Sequence, residues 1–232
     1  MANSKRDVHV VFLGPTGCGK SRLCNYLLND DKAFRVSASF QSVTKGIQTK
    51  WHSVRHENEL IAFKFIDTQG LADTTMTNAE VINVVKEAIK ADVTYVNYFV
   101  IMLKPGRLTD ENRAALQYII KAFKLTEPER RKHVFLLLTH CECSSQSLRE
   151  TYEKECLVDR TIKEILVVNN NKIENFECTG LPGPDEVNEW MREGIMKWMD
   201  VQRSALLDYL CKPIEGITPT NDGFFGEMCT IL

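Results

Sequence analysis

Three features are absent from this 232-residue sequence: a long apolar run, an excess of one charge, and cysteines spaced for a zinc site. The longest apolar runs, residues 97–103 and 134–138, have the length of strands, whereas a membrane-spanning helix needs about 20 apolar residues. The 29 Lys and Arg residues nearly balance the 31 Asp and Glu residues, so the overall charge does not favour binding to DNA or RNA. We expect a globular protein that does not cross a membrane and has no nucleic-acid partner.

The beginning of the sequence and its eight cysteines favour a cytoplasmic protein. Residues 1–6 are polar and lack the basic start and apolar core of a secretory signal. The cysteines are scattered through a chain long enough to fold without disulfides, so we expect reduced thiols. His133, His140, Cys141 and Cys143 lie close in the sequence, but a Cys-x-Cys at a strand end is more often structural than metal-binding.

Apolar strands alternate with amphipathic helices along the chain. Strands are predicted at residues 8–13, 48–55, 60–66, 95–103 and 133–138, and helices at 21–28, 79–90, 110–124, 185–210 and within 148–166. The second and third strands are joined by a short turn at Glu57-Asn58, so we expect them to pair antiparallel. The alternation predicts an α/β fold over residues 1–210, with a mostly parallel sheet and helices on both faces. Residues 211–232 have Pro and Gly but no periodicity, and we expect a flexible tail there.

The last predicted helix, residues 185–210, is amphipathic. Its apolar face is predicted to comprise Val187, Trp190, Met191, Gly194, Ile195 and Trp198. This face would either pack on the helix's own domain or form a self-association surface.

Residues 14–21 match the phosphate-binding pattern GxxxxGK[ST] between a predicted buried strand and a predicted helix. In this pattern the glycine-rich backbone turns its N–H groups toward a polyphosphate, and the helix N-terminus adds partial positive charge. Lys20 would reach the β- and γ-phosphates, and the Ser21 hydroxyl would ligate Mg²⁺. The predicted phosphate site comprises Gly14, Pro15, Thr16, Gly17, Cys18, Gly19, Lys20 and Ser21.

Two further segments would complete the phosphate and metal site. Asp67 ends a predicted strand, where a carboxylate can hold Mg²⁺ through water, and Gly70 follows it in a DxxG pattern that would sense the γ-phosphate. In the polar segment 34–48, Thr44 is our first choice to complete the Mg²⁺ shell, with Ser42 and Thr49 as alternatives.

These residues resemble the septin-like P-loop GTPases of the GIMAP or AIG type and their relatives, the chloroplast import receptor GTPases. The resemblance rests on residues 14–21 (GPTGCGKS), 42–44 (SVT), 67–73 (DTQGLAD, similar to DTPGLxD) and 106–111 (GRLTDE, similar to GRxTxED). It covers roughly residues 7–205 and implies a three-layer G domain that binds GTP or GDP with Mg²⁺. Gln69 stands where the family usually has proline.

The predicted guanine site lies after the strand at 133–138. Thr139-His-Cys-Glu142 replaces the common NKxD motif, so Glu142 falls at the position of the base-reading aspartate. A carboxylate there can accept both the N1–H and the 2-amino hydrogens of guanine, which adenine does not offer. By resemblance, His140 would stack on the base or donate a hydrogen bond to it, and the Asn169-Asn-Asn171 run would touch the base. We assign that contact to Asn170, and Asn169 and Asn171 are the alternatives.

The usual catalytic glutamine is missing, because Leu71 occupies the position after Gly70. We therefore predict slow hydrolysis, on the order of 10⁻⁴–10⁻³ s⁻¹ by comparison with unassisted switches. The resemblance also implies a homodimer across the nucleotide, to which Arg107 or Arg113 would contribute catalysis.

The last four residues, Cys229-Thr-Ile-Leu232, match a geranylgeranylation signal. A single lipid usually needs a second membrane signal, and the tail has no polybasic patch. Insertion of Phe224 and Phe225 into the membrane interface, or acylation of Cys211, is a weak candidate for this second signal.

These features together predict a GTP-hydrolysing switch at the cytosolic face of a membrane. One alternative is a nucleotide-gated scaffold that assembles through the Trp190/Trp198 helix, with incidental turnover. A third reading, a P-loop ATPase or kinase, would need an arginine-bearing lid, for which residues 129–132 (ERRK) are a poor fit.

Overall fold

The computed structural model describes residues 4–35, 47–68, 70–71, 77–141, 146–170, 172–180 and 192–218. Six strands form one sheet: β1 (Ser4–Leu13), β2 (Ile47–His56), β3 (Glu59–Thr68), β4 (Tyr98–Leu103), β5 (Val134–Leu138) and β8 (Phe176–Cys178). Their order across the sheet is β2-β3-β1-β4-β5-β8, and a short hairpin pairs β6 (Val168–Asn169) with β7 (Lys172–Ile173). Only β2 and β3 pair antiparallel within the large sheet, which confirms the prediction made from the short turn between them.

Seven helices lie in the described part of the chain. They are α1 (Lys20–Leu28), α2 (Asn78–Asp92), α3 (Asp110–Ala122), α4 (Pro128–Arg131), α5 (Gln146–Val158), α6 (Arg160–Lys163) and α7 (Arg192–Leu210). None of the helices in these residues is long and apolar enough to span a membrane.

Strict alternation along the central strands gives each face of the sheet its own core. On β4, Phe99, Ile101 and Leu103 belong to the core that also contains α2 and α3 residues, whereas Tyr98, Val100 and Met102 belong to the core under α1 and α7. Because successive strand side chains point to opposite faces, an almost continuously apolar strand is needed to fill both cores. The three-layer α/β architecture agrees with the predicted fold class.

The strand order places the glycine-rich segment at the topological switch point. From β1 the chain leads through α1 and β2 to β3 on one side, and then returns through α2 to β4 on the other side of β1. In open α/β sheets, ligands bind beyond the carboxyl ends of the strands at such a reversal. Residues 14–19 follow β1 at this point.

Residues 211–217 differ from the flexible tail predicted to begin at residue 211. Ile217 forms a two-way backbone bridge with Val96, and the Asn97 side chain donates to the Ile214 carbonyl at 3.0 Å. Cys211 is buried, and its carbonyl accepts a hydrogen bond from Arg6. These pairings use chain segments more than 100 residues apart, so local composition could not reveal them.

The packing face of α7 also differs from the predicted one. Leu206, Leu207 and Leu210 are buried, and Met199 packs against the same core. Of the predicted face, Ile195 and Trp198 are half-buried and Gly194 faces open space, while Val187, Trp190 and Met191 lie outside the described residues. The helix therefore docks through its C-terminal half, where Arg203 also donates to the carbonyls of Tyr26 and Leu27 at the end of α1.

Candidate nucleotide site

The phosphate loop connects the buried end of β1 to the first turn of α1. Gly19 is the N-terminal cap of α1 and adopts φ 88°, a left-handed conformation that side chains with a Cβ rarely adopt. This conformation lets the loop turn directly into the helix, so the first N–H groups of α1 point out of the carboxyl edge of the sheet. The predicted strand–loop–helix context is therefore present.

Lys20 is buried within the loop that it belongs to. Its ammonium donates hydrogen bonds to the carbonyl oxygens of Gly14 at 3.1 Å and Pro15 at 3.0 Å. Carbonyl oxygens have only a partial negative charge, so they are weaker partners for an ammonium than the fully charged oxygens of a phosphate. The loop thus holds a desolvated cation where a phosphate can exchange for its carbonyl partners.

Ser21 and Asp67 meet at the start of α1. The Ser21 hydroxyl donates to Asp67 Oδ2 at 2.6 Å, and the Asp67 side chain is fully buried at the end of β3. A hydroxyl and a carboxylate side by side supply the oxygen donors that Mg²⁺ prefers. The donor set therefore fits a magnesium ion held by Ser21, with Asp67 behind it.

The segment after β3 is tied to the phosphate loop by backbone contacts. The Thr16 N–H donates to the Leu71 carbonyl at 2.8 Å, and the Leu71 N–H donates to the Gly14 carbonyl at 3.2 Å. A Cβ at Gly70 would collide with the backbone of Thr16, so only glycine fits this close approach. Leu71 is fully buried in the core, which explains why it anchors the loop and offers no polar group to a water molecule.

Thr139 joins the predicted base site to the phosphate loop. Its hydroxyl lies 2.8 Å from the carbonyl of Cys18 and 3.2 Å from that of Leu103, and its N–H donates to the Leu103 carbonyl at 2.8 Å. His140 is exposed, adopts φ 60°, and places Nδ1 3.1 Å from the Thr139 hydroxyl. The end of β5 therefore lies directly beside the start of α1.

The end of β8 completes this edge of the sheet. Leu138 is in register with Cys178, the Thr179 N–H donates to the Leu138 carbonyl, and the Cys141 N–H donates to the Thr179 carbonyl. The Thr179 side-chain oxygen is buried without a hydrogen-bond partner among the described residues. Residues 179 and 180 are thus brought next to Thr139 and His140.

Burial keeps the nearby thiols protonated. Desolvation raises the pKa of Cys18 in spite of the neighbouring Lys20 charge, and it raises the pKa of Cys24 well above the usual range. Hydrogen bonding to Cys141, followed by burial, raises the pKa of Cys178. These cysteines behave as small core residues rather than nucleophiles, because the thiolate is the reactive form.

The sequence profile of the AIG1 family matches residues 8–179, almost three quarters of the chain. The chain belongs to the AIG1 family. The matched range begins in β1 and ends at Thr179, so it contains the phosphate loop, Asp67 and the ends of β5 and β8.

Solved structures of GTPases share the fold of this AIG1 domain. Three structures of Toc33 from Arabidopsis thaliana each have a TM-score of 0.60 and cover 91% of this chain. They are a dimerization-deficient mutant (16% identity, 87% of that chain covered), a complex with GDP and Mg²⁺ (19%, 87%) and a complex with Mg²⁺ and GMPPNP (18%, 88%).

Two other structures extend the comparison. One is a structure of the chloroplast translocon components atToc33 and psToc159, for whose GTPase activity dimerization is described as important. It has a TM-score of 0.57 and 18% identity, and the match covers 91% of this chain and 86% of that one. Era in complex with MgGDPNP and 16S ribosomal RNA has a TM-score of 0.55 and 14% identity, and covers 90% of this chain and 58% of that one. These similarities show a P-loop GTPase fold, and with the family match they support a GTP-binding G domain.

Several predicted residues of the AIG1 domain come together in the structure. The predicted phosphate loop, Gly70, Asp67, Thr139 and His140 lie at one edge of the sheet, as the hydrogen bonds above require. Thr44, Glu142, Gln69, Asn171 and Cys229 lie outside the described residues.

Asn170 is not brought to this edge. It lies at the tip of the β6–β7 hairpin, which precedes β8, and the chain between the hairpin and β8 is bonded to the beginning of β5 through Asn175 and Val134. Thr139 and His140 follow the opposite end of β5, so the structure does not bring Asn170 together with the other predicted base residues. Sequence reasoning missed Thr179 because the three-residue strand β8 is too short to show a period; the Thr-Gly pair directly after it was the available signal.

The His/Cys cluster is also separated. His133 lies at the beginning of β5, where its Nδ1 is 2.9 Å from the Asn97 carbonyl, while His140 lies beyond the other end. No group of three metal-ligating side chains occurs in the residues for which the structure gives side chains.

Lys104 was missed by sequence reasoning. Its ammonium lies 3.9 Å from the position that a Cβ would take on Gly17, at the tip of the phosphate loop. This lysine follows β4 directly, and a cation after a neighbouring parallel strand was the signal that could have identified it.

Proposed function

We propose that this AIG1-family protein is a GTP-dependent switch with slow intrinsic hydrolysis, attached to a membrane through a prenylated C-terminus. The observation that carries the nucleotide assignment is the junction of Lys20, Ser21 and Asp67 at the end of β1, one hydrogen bond away from the base edge at Thr139. Phosphate, metal and base would thus be bound by a single continuous edge of the sheet.

Each group of the site has a separate task. The N–H groups at the start of α1 and the Lys20 ammonium bind the phosphates, and Ser21 holds Mg²⁺ with Asp67 behind it. When bound there, Mg²⁺ would supply positive charge that offsets the negative charge of the phosphate oxygens. Thr44 joins the metal shell in the GTP state, and Glu142 selects guanine by accepting its N1–H and 2-amino hydrogens.

Slow hydrolysis follows from the burial of Leu71. A residue after the DxxG glycine orients the attacking water in Ras-like enzymes, but here that side chain is fully enclosed in the core and apolar. The domain supplies no substitute for it among the groups described around Gly70. We infer that a faster rate needs a group delivered by a second subunit.

Of the two arginines considered for this role, Arg107 fits better than Arg113. Arg113 is held by Asp159 at 2.8 Å and by the Thr161 hydroxyl at 3.4 Å, whereas Arg107 is exposed and makes no ion pair with another described residue. The dimerization of atToc33 and psToc159 is described as important for their GTPase activity. We infer that Arg107 acts across a homodimer, on the partner's nucleotide.

The dimer hypothesis is tested by GTP turnover per subunit over a wide range of protein concentration. Turnover is expected to rise with concentration in the wild type and in Arg113→Lys, and to stay at the monomer rate in Arg107→Ala. A wild-type rate that is independent of concentration would contradict the dimer, while an unaffected Arg107→Ala would exclude this arginine.

Prenylation of Cys229 remains a proposal from the sequence. It is tested by mass spectrometry of the protein expressed in eukaryotic cells, with Cys229→Ser as the unmodified control. Detection of only unmodified Cys229 would contradict the proposed lipid anchor. Cys211 is an unsuitable second lipid site, because it is buried and burial raises its pKa to about 11.

A nucleotide-gated scaffold is the second candidate, supported by one observation. Met196 and Val201 on α7 are 52% and 64% exposed, so apolar surface is available on this helix. Particle growth with GTP, measured by light scattering and lost in Met196→Lys/Val201→Lys, would favour the scaffold. A P-loop kinase or ATPase is disfavoured, because Arg130 is buried beside the start of β5, at the opposite end of this strand from Thr139.

The deciding experiment for the switch is the affinity for GTP, GDP and ATP with Mg²⁺, in the wild type, Glu142→Ala and the control Glu129→Ala. Glu129 is an exposed acid beside the start of β5, so its removal has the same charge effect without touching the site. We expect preference for guanine in the wild type and the control, and its loss in Glu142→Ala. ATP binding as tight as GTP binding in the wild type would overturn the proposed function.

A further inference from the structure

A cavity of about 660 Å³ lies beside the nucleotide site and shares Lys104 with it. It is bounded by the segment from the end of β4 to α3 on one side and by α5 and α6 on the other. None of the residues of the phosphate loop, nor Asp67 or Thr139, lines it. Its volume falls within the range of about 300–1,000 Å³ that is typical of small-molecule sites.

The floor of this cavity is apolar. It is formed by the buried side chains of Leu103, Leu138, Cys156 and Ile162, which belong to the main core. Burial raises the pKa of the Cys156 thiol to about 12, so this sulfur is an uncharged part of the floor. Above this floor, Leu108 and Tyr152 are half-buried and Val158 is 84% exposed, so an apolar ligand body would displace water from these three side chains and gain the hydrophobic free energy of that burial.

The rim of the cavity is basic. Five basic side chains line it, against the two acidic side chains of Glu155 and Asp159. Asp159 is already used, because it pairs with Arg113 and accepts the N–H groups of Thr161 and Ile162. The other four basic residues are exposed and form no ion pair within the described part of the chain: Lys104, Arg107, Lys154 and Arg160.

This excess of positive charge is local, since the chain as a whole has a net charge of -2. Like charges held around one opening repel one another, and an anion between them would relieve that repulsion. The combination of an apolar floor and a cationic rim matches a ligand with an apolar body and one acidic head.

We propose that this cavity is a second binding site, for an amphiphilic anion such as a medium-chain carboxylate. The apolar chain lies against Leu108, Tyr152 and Val158, and the acidic head lies between Lys154 and Arg160. Lys154 and Arg160 lie on α5 and α6, apart from the phosphate loop, so we expect binding at this site to be the same with and without nucleotide.

The test uses the fluorescent probe 8-anilinonaphthalene-1-sulfonate and its displacement by decanoate or by neutral 1-decanol. Reversing the rim charge in Lys154→Glu/Arg160→Glu is expected to weaken decanoate binding at least tenfold while changing decanol binding less than twofold. The matched control Lys50→Glu/Lys172→Glu alters the net charge equally at two exposed lysines that do not line the cavity, and is expected to bind decanoate like the wild type.

A second variant locates the binding. Leu108→Trp places a large side chain at the cavity wall and is expected to reduce binding of the probe and of both competitors. All measurements are made with and without GDP and Mg²⁺, and the same results are expected in both conditions, even if the protein fails to bind GDP.

Three outcomes would overturn the proposal. The first is probe binding that is unchanged in Leu108→Trp. The second is a loss of decanoate affinity in Lys50→Glu/Lys172→Glu as large as that in Lys154→Glu/Arg160→Glu. The third is an equal effect of Lys154→Glu/Arg160→Glu on decanoate binding and on decanol binding. Circular dichroism and urea unfolding of each variant separate loss of the site from loss of the fold.

Discussion

The phosphate loop lies beside the predicted base edge, which is formed by Thr139 and His140 after β5 and by Thr179 after β8, but the two regions are encoded in different ways. The loop is one continuous segment, residues 14–21, whose lysine, serine and glycines occupy fixed positions on a strand–helix junction. The base edge is assembled from the end of β5 and the end of β8, which meet only because Leu138 and Cys178 are in register. The geometry of the loop is determined by its own residues, whereas the geometry of the base edge depends on how the strands pair in the sheet.

The largest expected effect is on the local motif. Lys20→Met removes a buried cation from the phosphates, and we expect GTP affinity to fall by about 100-fold or more, in line with a cost of roughly 3 kcal/mol for losing one partner of a buried charged contact. Calorimetric titration with GTP and GDP measures it, with exposed Lys32→Met as the control. Equal affinity in the two variants would show that the loop does not bind phosphate through Lys20.

The connection between the two regions can be broken at Thr139. Thr139→Val removes the only hydroxyl described between the Cys18 and Leu103 carbonyls, so we expect the free energy of unfolding to fall by about 1–3 kcal/mol, the cost of an unsatisfied buried group. Urea denaturation measures the change, and Thr139→Ser is expected to restore most of it. A valine variant as stable as the wild type would mean that this hydroxyl does not hold the regions together.

Thr179 sharpens the comparison, because its buried hydroxyl has no protein partner among the described residues. Thr179→Val should leave stability unchanged or slightly higher, since it replaces an unsatisfied oxygen with a methyl group. If the hydroxyl serves the nucleotide, GTP affinity should fall by about fivefold to tenfold, consistent with roughly 1 kcal/mol for one hydrogen bond. Affinity equal to the wild type would exclude Thr179 from binding.

The smallest expected effect is at Asn170. Asn170→Gly keeps the left-handed backbone of this position, φ 49°, and removes only the side chain. Because the hairpin is connected to the beginning of β5, we expect GTP affinity to change by less than about twofold. A tenfold loss of GTP affinity in Asn170→Gly would show instead that this asparagine contacts the base.

Sequence reasoning was most reliable where one segment contains the whole pattern. The phosphate loop, the antiparallel β2–β3 pair and the almost continuously apolar β4 could all be predicted, because each depends on neighbours within about ten residues. It was least reliable where a short element is positioned by distant contacts. The three residues of β8 and the bridge between Val96 and Ile217 have no local period, and Arg113 could not be seen to pair with Asp159.

By itself, the sequence determined the α/β architecture and the chemistry of the phosphate loop, because strand alternation and the glycine-lysine-serine spacing act through adjacent residues. The tertiary structure alone decided that Thr179 rather than Asn170 adjoins Thr139, that residues 211–217 pack against the start of β4, and that a basic rim surrounds an apolar cavity. The physical reason is register: pairing β5 with β8 fixes which residues emerge together at the carboxyl edge, and that pairing is selected by the burial of both sheet faces at once.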